Sequence, residues 1–399
     1  MRFLMVCMQY PVGPGQSYMT TELADALIGA GHEVEVLHLD WTAPPGADDE
    51  TFMTASGVRV VRCPARMLEG FGVAVRGGSK FVISGLRASR AARRAFDLSS
   101  FDALIAWMPA VAIAPVLAQA KRAGIQRRIL FIWDFFPDHH REIGRIPGGV
   151  PYRTARTWEQ CLLADFSAVI CTLPGNVDYL RRNWRVKPEQ RVLVTPIWSD
   201  VAPAPVVERR ATRRLYGLPL NRPIAVFGGQ LVEGRGFEQM LEAARQGPED
   251  GLLYLFVGDG RLGPVVQAEA AKGANVVHLS ALPRERYLAL LTACDVGLVA
   301  TVPGVTSYSI PSKTIDYLRA GLPVVAAIEP GNDFVAVLED FGVGVGVPFG
   351  QPERFGEAAA LLATNAVTRE AVRAAAPRCL EDYFHVRHAV ATVLEAAEA

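Results

Sequence analysis

The sequence has no excess of charge of either sign. Its 399 residues include 41 basic and 41 acidic side chains, so the formal net charge at pH 7 is zero. This balance gives no indication of a nucleic-acid partner, which a surplus of lysine and arginine would suggest. Half of the residues are hydrophobic and 21% are charged, as in globular proteins. A chain of this length is expected to form two domains of about 200 residues each.

The six cysteines form no recognisable metal-binding or redox motif. They are Cys7, Cys63, Cys161, Cys171, Cys294 and Cys379. None lies in a C-x-x-C pair or at a zinc-ligand spacing with the histidines. Three of them lie in or beside apolar runs, so we expect buried free thiols in a reducing cytoplasm.

The sequence also lacks a clear signal peptide or membrane span. Its first eight residues are too few for a signal peptide and predict a strand. Residues 103–120 carry no charge and resemble a membrane span, but Pro109 and Pro115 interrupt them. We therefore predict a buried strand followed by a helix. The expected localisation is cytoplasmic, with peripheral contact at the inner membrane face as an additional expectation.

Short apolar runs alternate with helical patterns along the chain. Strands are predicted at residues 2–8, 33–39, 58–62, 103–107, 128–133, 168–172 and 191–195, and then at 224–227, 253–257, 276–279, 296–300, 323–327 and 343–347. A break rich in proline and charge, residues 196–221, separates the two series. The pattern predicts an α/β fold with two Rossmann-like lobes, whose ligands bind at the carboxyl ends of the parallel strands in a cleft between the lobes.

The most specific pattern is a loop, a short helix, a glycine and a buried strand at residues 309–325. We expect Ser312 to cap the helix and Lys313 to lie in its first turn, where N–H groups and the helix dipole favour an anion. Asp316 follows on the same face. Cationic groups and N–H groups can bind a phosphate, and a carboxylate can accept a hydrogen bond from a sugar hydroxyl. The pattern therefore fits a nucleotide-sugar. An ordinary crossover with a capped helix is the structural alternative.

This segment resembles the donor-binding signature of retaining glycosyltransferases of family 4, which have the GT-B fold. In that family a glutamate before A-x-A-x-G-x-P-V holds the donor ribose, and a second glutamate stands eight residues earlier. Asp316 takes the later position here and Tyr308 the earlier one, so one carboxylate is missing. The Pro311-Ser312-Lys313 form is similar to a branch that builds bacterial surface polysaccharides and amino-sugar glycans.

The resemblance extends over most of the chain and implies a domain division. The first lobe would be residues 1–200, which bind the acceptor, and the second 201–382, which bind the nucleotide-sugar. Residues 383–399 would form a last helix that crosses back to the first lobe. The branch implies a UDP-sugar in preference to a GDP-sugar.

Two glycine-rich loops carry the resemblance into both lobes. Gly13 and Gly15 follow the first strand, similar to the family's first loop, and permit close backbone approach. Their spacing is not the G-x-G-x-x-G of dinucleotide folds, which counts against an NAD dehydrogenase. The second loop, residues 227–236, resembles G-R-L-x-x-x-K-G, whose Arg and Lys bind the donor diphosphate.

Arg235 takes the lysine position in this second loop and can hold phosphate oxygens bidentately. Gln230 stands where arginine is usual, and we expect Lys313 to supply the missing charge. A solvated loop cation is the structural alternative for Arg235.

Three further segments match the family more weakly. Residues 257–260 resemble its V-G-D-G turn, and Asp295 its A-D-V turn; both are expected to be structural. Leu282 lies in a loop, residues 278–283, similar to the one that contacts the nucleobase through backbone groups.

Two histidines and three acids follow the predicted strand 128–133, namely His139, His140, Asp134, Asp138 and Glu142. Their position at a carboxyl end predicts an acceptor site in which a histidine carries out acid–base chemistry. A loop with internally bonded side chains is the alternative. The spacing gives no zinc site.

A basic amphipathic stretch runs from Arg76 to Arg94, with six cations and no acid. Such a helix can lie on an anionic membrane, or present a solvated face.

Together these features predict transfer of a sugar from a nucleotide diphosphate sugar to an acceptor hydroxyl, with retention, on a sugar, an aglycone or a lipid-linked glycan. Arg235 and Lys313 would stabilise the leaving diphosphate and Asp316 would hold the ribose. We expect no cofactor and no metal, because no Asp-x-Asp motif is convincing. A GT-B sugar-nucleotide epimerase and a non-catalytic nucleotide-binding partner protein are the alternatives.

Overall fold

The computed structural model describes residues 1–11, 17–44, 46–68, 73–273, 275–302, 304–306, 309–329 and 331–398, without the side chains of residues 73–77. The chain divides into two compact units. The first comprises Met1–Ser199 together with Val386–Ala399, and the second comprises Asp200–His385.

The first unit contains an eight-stranded sheet. Its strands are β1 (Arg2–Cys7), β2 (Glu33–Asp40), β3 (Glu50–Met53), β4 (Arg59–Pro64), β5 (Ala103–Trp107), β6 (Arg127–Ile132), β7 (Ala168–Cys171) and β8 (Arg191–Val194), in the spatial order β3-β4-β2-β1-β5-β6-β7-β8. All neighbours are parallel except β3 and β4. Strands β5 and β7 are buried along their whole length and β1 is buried from Phe3 onwards, as expected for a parallel sheet covered on both faces.

The second unit contains a six-stranded parallel sheet. Its strands are β9 (Ile224–Gly228), β10 (Leu253–Val257), β11 (Val276–Leu279), β12 (Val296–Ala300), β13 (Val324–Ala327) and β14 (Gly344–Gly346), in the order β11-β10-β9-β12-β13-β14. Two such Rossmann-like units make the α/β architecture that the alternation of strands and helices predicts.

Helices connect most of the strands. They are α1 (Met19–Gly29), α2 (Val73–Ala95), α3 (Ala114–Arg122), α4 (Asp138–Glu142), α5 (Val150–Leu163), α6 (Pro174–Asn183), α7 (Arg209–Leu215), α8 (Phe237–Gln246), α9 (Gly263–Ala270), α10 (Arg284–Leu291), α11 (Lys313–Arg319), α12 (Asp333–Asp340), α13 (Pro352–Thr364), α14 (Ala366–Cys379) and α15 (Val386–Ala397). The last of them, α15, belongs to the first unit and packs against α1, β6 and β8.

The predicted strands coincide with observed strands to within one or two residues, but two features differ from the prediction. The sequence analysis missed β3, a short and largely exposed strand that pairs antiparallel with β4. The predicted break at 196–221 contains a helix, α7, which Glu208 caps by accepting hydrogen bonds from the N–H groups of Arg210 and Ala211.

Within the described ranges, no helix combines the length and the apolar character that a membrane span requires. Residues 103–120 fold instead as β5, a 3-10 turn at Ala110–Ala112 and most of α3. Five of the six cysteines are buried, and Cys161 is exposed.

Candidate functional site

Two glycine turns pack against each other at the carboxyl ends of β9 and β10. Gly229 N donates to Val257 O at 3.0 Å, and Leu231 N donates to Asp259 O at 2.9 Å. Gly258 has a φ of 147°, and a Cβ there would lie 2.0 Å from Gly229 O. Only glycine allows this approach, so the sheet edge presents backbone that is free of side chains.

Lys313 begins α11 and lies beside the first of these turns. Its Nζ is 3.4 Å from the centroid of the Phe227 ring, and a Cβ on Gly229 would lie 3.8 Å from its Cε. Desolvation of the ammonium group, together with the charge of Arg235, lowers the pKa of Lys313 well below its usual value. The structure therefore brings together the two cations that the sequence assigns to a diphosphate.

Asp316 makes a bidentate ion pair with Arg284. Each carboxylate oxygen accepts a hydrogen bond of 2.5 Å from one guanidinium nitrogen. Asp316 is nearly buried, whereas the Arg284 side chain keeps about a third of its surface exposed. Each oxygen retains a lone pair, so the carboxylate can still accept a hydroxyl while Arg284 holds its orientation.

The sequence analysis missed Arg284. It is the first residue of α10 and directly follows the loop that resembles a nucleobase contact. A cation at the start of a helix beside a ligand loop is the signal that could have drawn attention to it. Its pairing with Asp316, 32 residues away, depends on the tertiary fold.

Ser312 does not cap α11, so that prediction was wrong. Its φ and ψ of −57° and −26° are helical, and its exposed side chain makes no capping hydrogen bond. A capping residue needs extended backbone to direct its side chain at the free N–H groups. Thr314 N already bonds to Pro311 O at 3.0 Å. The cationic side chain of Lys313, and not a capped helix end, is the element that suits an anion.

The loop after β11 is attached to the second glycine turn. Asp259 accepts a hydrogen bond of 3.1 Å from Ala281 N, which agrees with a structural role for its turn. Leu282 follows in this loop and is half-buried, while Gln230 is exposed at the first turn. Gly13, Gly15 and Tyr308 lie outside the described residues.

In the first unit, Asp138 anchors the short helix α4. Its buried carboxylate accepts hydrogen bonds from the hydroxyls of Tyr152 at 2.9 Å and Tyr179 at 3.1 Å. Arg156 lies 3.0 Å from it and stacks on Trp184, with its guanidinium carbon 3.3 Å from the ring centroid. This carboxylate is satisfied within the protein, so its role is to position α4.

The two histidines of α4 differ in environment. His139 is half-buried and its Nε2 lies 4.0 Å from Oδ1 of the exposed Asp134. His140 packs edge-on against Phe136, with ring centroids 5.2 Å apart. Burial lowers the pKa of His140 to about 4, so its ring is neutral at pH 7. Its buried Nδ1 has no hydrogen-bond partner in the part of the chain that the structure describes.

Aromatic rings surround the end of β6, next to this histidine pair. Trp133 makes ring contacts with Tyr18, Trp107 and Trp198 at centroid distances of 5.7 to 5.9 Å. Tyr and Trp combine an apolar face with a polar edge, which suits a sugar ring. Glu142, the remaining predicted residue of this segment, is half-buried at the end of α4.

A search of the described residues finds no group of three or more His, Cys, Asp or Glu side chains that could hold a metal ion. Lys313 lies beside the first glycine turn and within reach of the charge of Arg235, and Asp259 belongs to the second turn.

Comparison with known proteins finds a family model that matches the first half of the chain. Residues 15–198 match the family model described as "Glycosyl transferase 4-like domain". The chain is 28% identical over 232 residues to WbjE of Pseudomonas aeruginosa, named as a probable glycosyltransferase, and the match covers only 56% of each protein. It is 25% identical over 365 residues to WcaI of Escherichia coli K12, whose name refers to a colanic acid biosynthesis glycosyl transferase, covering 86% of each.

Solved structures share the fold over the whole chain. Sucrose-phosphate synthase from Thermosynechococcus elongatus superposes with a TM-score of 0.76 at 17% identity, covering 100% of this chain and 97% of that one. HepE from Anabaena, solved in complex with UDP, superposes with a TM-score of 0.66 at 14% identity, covering 99% and 100%. The fold is therefore GT-B, as the sequence predicts.

Proposed function

We propose that this glycosyltransferase 4-like protein transfers a sugar from a nucleotide diphosphate sugar, with UDP as the favoured nucleotide, to an acceptor hydroxyl in glycan biosynthesis. The names of both curated relatives refer to glycosyl transfer, and the HepE structure contains UDP. These comparisons favour neither the epimerase nor the non-catalytic alternative.

The observation that carries the proposal is Lys313, which lies beside the bare backbone of Gly229 and near enough to the exposed Arg235 for its charge to be felt. Two neighbouring cations, one of them desolvated enough for its pKa to fall, form an arrangement that an anion would stabilise. A diphosphate provides that anion. Asp316, which Arg284 orients, then accepts a hydrogen bond from a ribose hydroxyl.

The chemistry follows from this charge arrangement. Negative charge develops on the leaving diphosphate as the glycosidic bond breaks, and prearranged cations stabilise that charge most in the transition state. Transfer with retention by a front-face displacement requires no protein nucleophile. We propose that Arg235 and Lys313 stabilise the leaving diphosphate without a metal ion. A chelator should therefore leave the rate of sugar transfer unchanged.

The first unit is proposed to bind the acceptor. His139, held beside Asp134, is the residue placed to accept a proton from the acceptor hydroxyl. The aromatic cluster around Trp133 supplies rings on which a sugar can stack.

Replacing Arg235 with alanine tests the proposed diphosphate site. We expect UDP to raise the melting temperature of the wild-type protein more than GDP, ADP or TDP do, because a site-specific ligand stabilises the folded state. Arg235→Ala should lose most of the UDP effect, whereas binding of uridine should be unchanged. Arg378→Gln, which removes an exposed arginine of α14, is the matched control. Equal UDP shifts in wild type and Arg235→Ala would refute the assignment.

UDP binding is expected to take up a proton at Lys313. In the free protein the pKa of Lys313 lies well below its usual value, and a bound diphosphate stabilises the charged ammonium and raises that pKa again. Affinity therefore falls as pH rises from the free pKa to the bound pKa. Calorimetric titrations over a pH series from 6 to 10, each in two buffers of different ionisation enthalpy, measure the uptake. Lys313→Arg, which stays charged, should abolish it; identical enthalpies for the wild type would contradict the prediction.

Helix α2 is proposed to make peripheral contact with an anionic membrane. Its exposed residues include Val82 and Leu86 as well as Arg90, Arg93 and Arg94. Apolar side chains next to cations fit an interfacial helix. Changing the three arginines to glutamine should reduce co-sedimentation with phosphatidylglycerol vesicles, while binding to neutral vesicles stays low. Equal sedimentation of variant and wild type would favour a solvated helix face.

A further inference from the structure

A second cationic site lies in the second unit, at the amino ends of β9 and β12. A cavity of about 440 Å³ opens there. Its charged lining consists of Arg209, Arg213, Arg222, Arg369, Arg373 and Asp295. We call this set the arginine pocket. Pro223 and Asp295, which directly precede the two strands, place it at the sheet edge opposite the glycine turns.

One carboxylate faces three guanidinium groups in the arginine pocket. Asp295 accepts hydrogen bonds from Arg209 at 2.6 Å, from Arg213 at 2.8 Å and from Arg369. The single negative charge of the Asp295 carboxylate neutralises only one of the three guanidinium charges. Burial, and after it the nearby charge of Arg209, lowers the pKa of Arg213.

The five arginines do not all have the same role. Arg213 is 2% exposed, and its remaining donors bond to the carbonyl oxygens of Ala293, Pro219, Leu220 and Arg222, so it is structural. Arg222 bonds to Gly251 O and to Asn275. These two arginines fix the loops that form the cavity wall.

Arg369 and Arg373 line the cavity as well. The buried Nε of Arg369 has no hydrogen-bond partner among the described residues. Arg373, one turn further along α14, is half-exposed, and it lies 3.4 Å from Glu370 in a stretched contact. The exposed guanidinium group of Arg373 therefore keeps donors that a bound acceptor can use.

The arginine pocket is separate from the site proposed for the nucleotide-sugar. Strand β12 runs from Val296 to Ala300, and the glycine turns lie beyond the carboxyl ends of the neighbouring strands. A strand of this length spans roughly 15 Å, so the two sites lie at opposite edges of the same sheet.

We propose that the arginine pocket binds a small phosphorylated anion, such as a sugar phosphate, independently of the donor nucleotide. Guanidinium groups match the tetrahedral oxygens of a phosphate and hold them in pairs. The cavity volume lies at the lower end of the range for small-molecule sites, which suits a monosaccharide phosphate. The ligand would contact Arg209, Arg369 and Arg373, whereas Arg213 would maintain the wall.

The proposal is tested by titrating the full-length protein with inorganic phosphate and with glucose 6-phosphate. The variants are Arg373→Gln, which changes a half-exposed side chain, and the double variant Arg369→Gln/Arg373→Gln. We expect dissociation constants to rise roughly tenfold for each guanidinium removed. Arg378→Gln on the same helix should bind both probes like the wild type. Melting temperatures confirm that each variant is folded.

Hydrogen exchange locates the bound anion. Added glucose 6-phosphate should slow exchange in α7 and in α14. Protection confined to the loop 228–236 would place the anion in the donor site and overturn the proposal, as would equal affinities in wild type and the arginine variants. Binding of the chain to phosphatidylglycerol vesicles through these arginines, without binding of either free probe, would assign the pocket to a lipid headgroup and equally overturn it.

Discussion

Replacing His139 with alanine is expected to lower the rate of sugar transfer roughly 10²- to 10⁴-fold, the range for loss of a general acid or base. The half-buried ring follows the carboxyl end of β6, and its Nε2 lies 4.0 Å from Asp134 Oδ1. A carboxylate at that distance can orient the ring. The affinity for UDP should change little, because the cations proposed to bind the diphosphate belong to the second unit.

The measurements are the single-turnover rate of transfer and the dissociation constant of UDP. His32→Ala is the matched control, because His32 precedes β2 at the amino edge of the same sheet. If His139→Ala transfers sugar at the wild-type rate, α4 is a structural segment and the acid–base assignment is wrong.

His140 is expected to act on stability instead. Burial lowers its pKa to about 4, so the folded state binds its proton less readily than the unfolded state. The contribution of the neutral ring to the free energy of unfolding is therefore complete above the pKa of His140 in the unfolded state. It is lost as the pH falls through the pKa of the folded state, and the loss is up to about 3 kcal/mol. His140→Gln should lower the free energy of unfolding at pH 7.5, and the difference from wild type should narrow by pH 5. A constant difference would show that the ring does not titrate in this way.

Replacing Asp316 with asparagine is expected to weaken UDP binding roughly 10- to 100-fold, the effect of losing a hydrogen bond to a charged acceptor. The change preserves the size of the side chain but removes the charge that pairs with Arg284 and would accept a ribose hydroxyl. Asp316→Glu should retain much of the affinity, because it keeps the carboxylate. Asp382→Asn, in an exposed pair with Arg378, is the matched control.

A double-mutant cycle separates the roles of the two partners. If Arg284 acts by orienting Asp316, Arg284→Gln should weaken UDP binding less than Asp316→Asn does, and the double variant should resemble Asp316→Asn. In this scheme Asp316 contacts the ribose, which UDP and uridine share. The affinities for UDP and for uridine should therefore fall by the same factor. An Asp316→Asn variant with wild-type affinity for both would exclude the carboxylate as a donor contact.

The positions of the strands followed from the sequence because the signal is local. A buried parallel strand requires a short run of apolar side chains on both faces, and 253–257, 276–279 and 296–300 have the same limits in the structure. Strand β3 was missed because it has no run of buried apolar side chains. Its residues Glu50–Met53 are mostly exposed, and pairing with β4 rather than apolar content makes them a strand.

The capping of α11 was predicted wrongly from an equally local rule. Serine before a helical pattern usually accepts from the first N–H groups, but the backbone of Ser312 is already helical. Helix α7 was missed because prolines and charges on both sides of it resemble a linker. The burial of its Arg213 against carbonyl groups from distant segments is invisible in the pattern.

The sequence by itself determined the two-lobed α/β fold and the residue types available for a diphosphate, since periodicity and glycine spacing are properties of short segments. Only the tertiary structure decided which charges meet. It paired Asp316 with Arg284, directed three arginines at Asp295, and placed Glu159 of α5 where it accepts from the N–H groups of Ala110 and Val111, with burial raising its pKa to about 8. Such pairs join residues tens of positions apart, and their energies depend on burial and distance, which no local pattern contains.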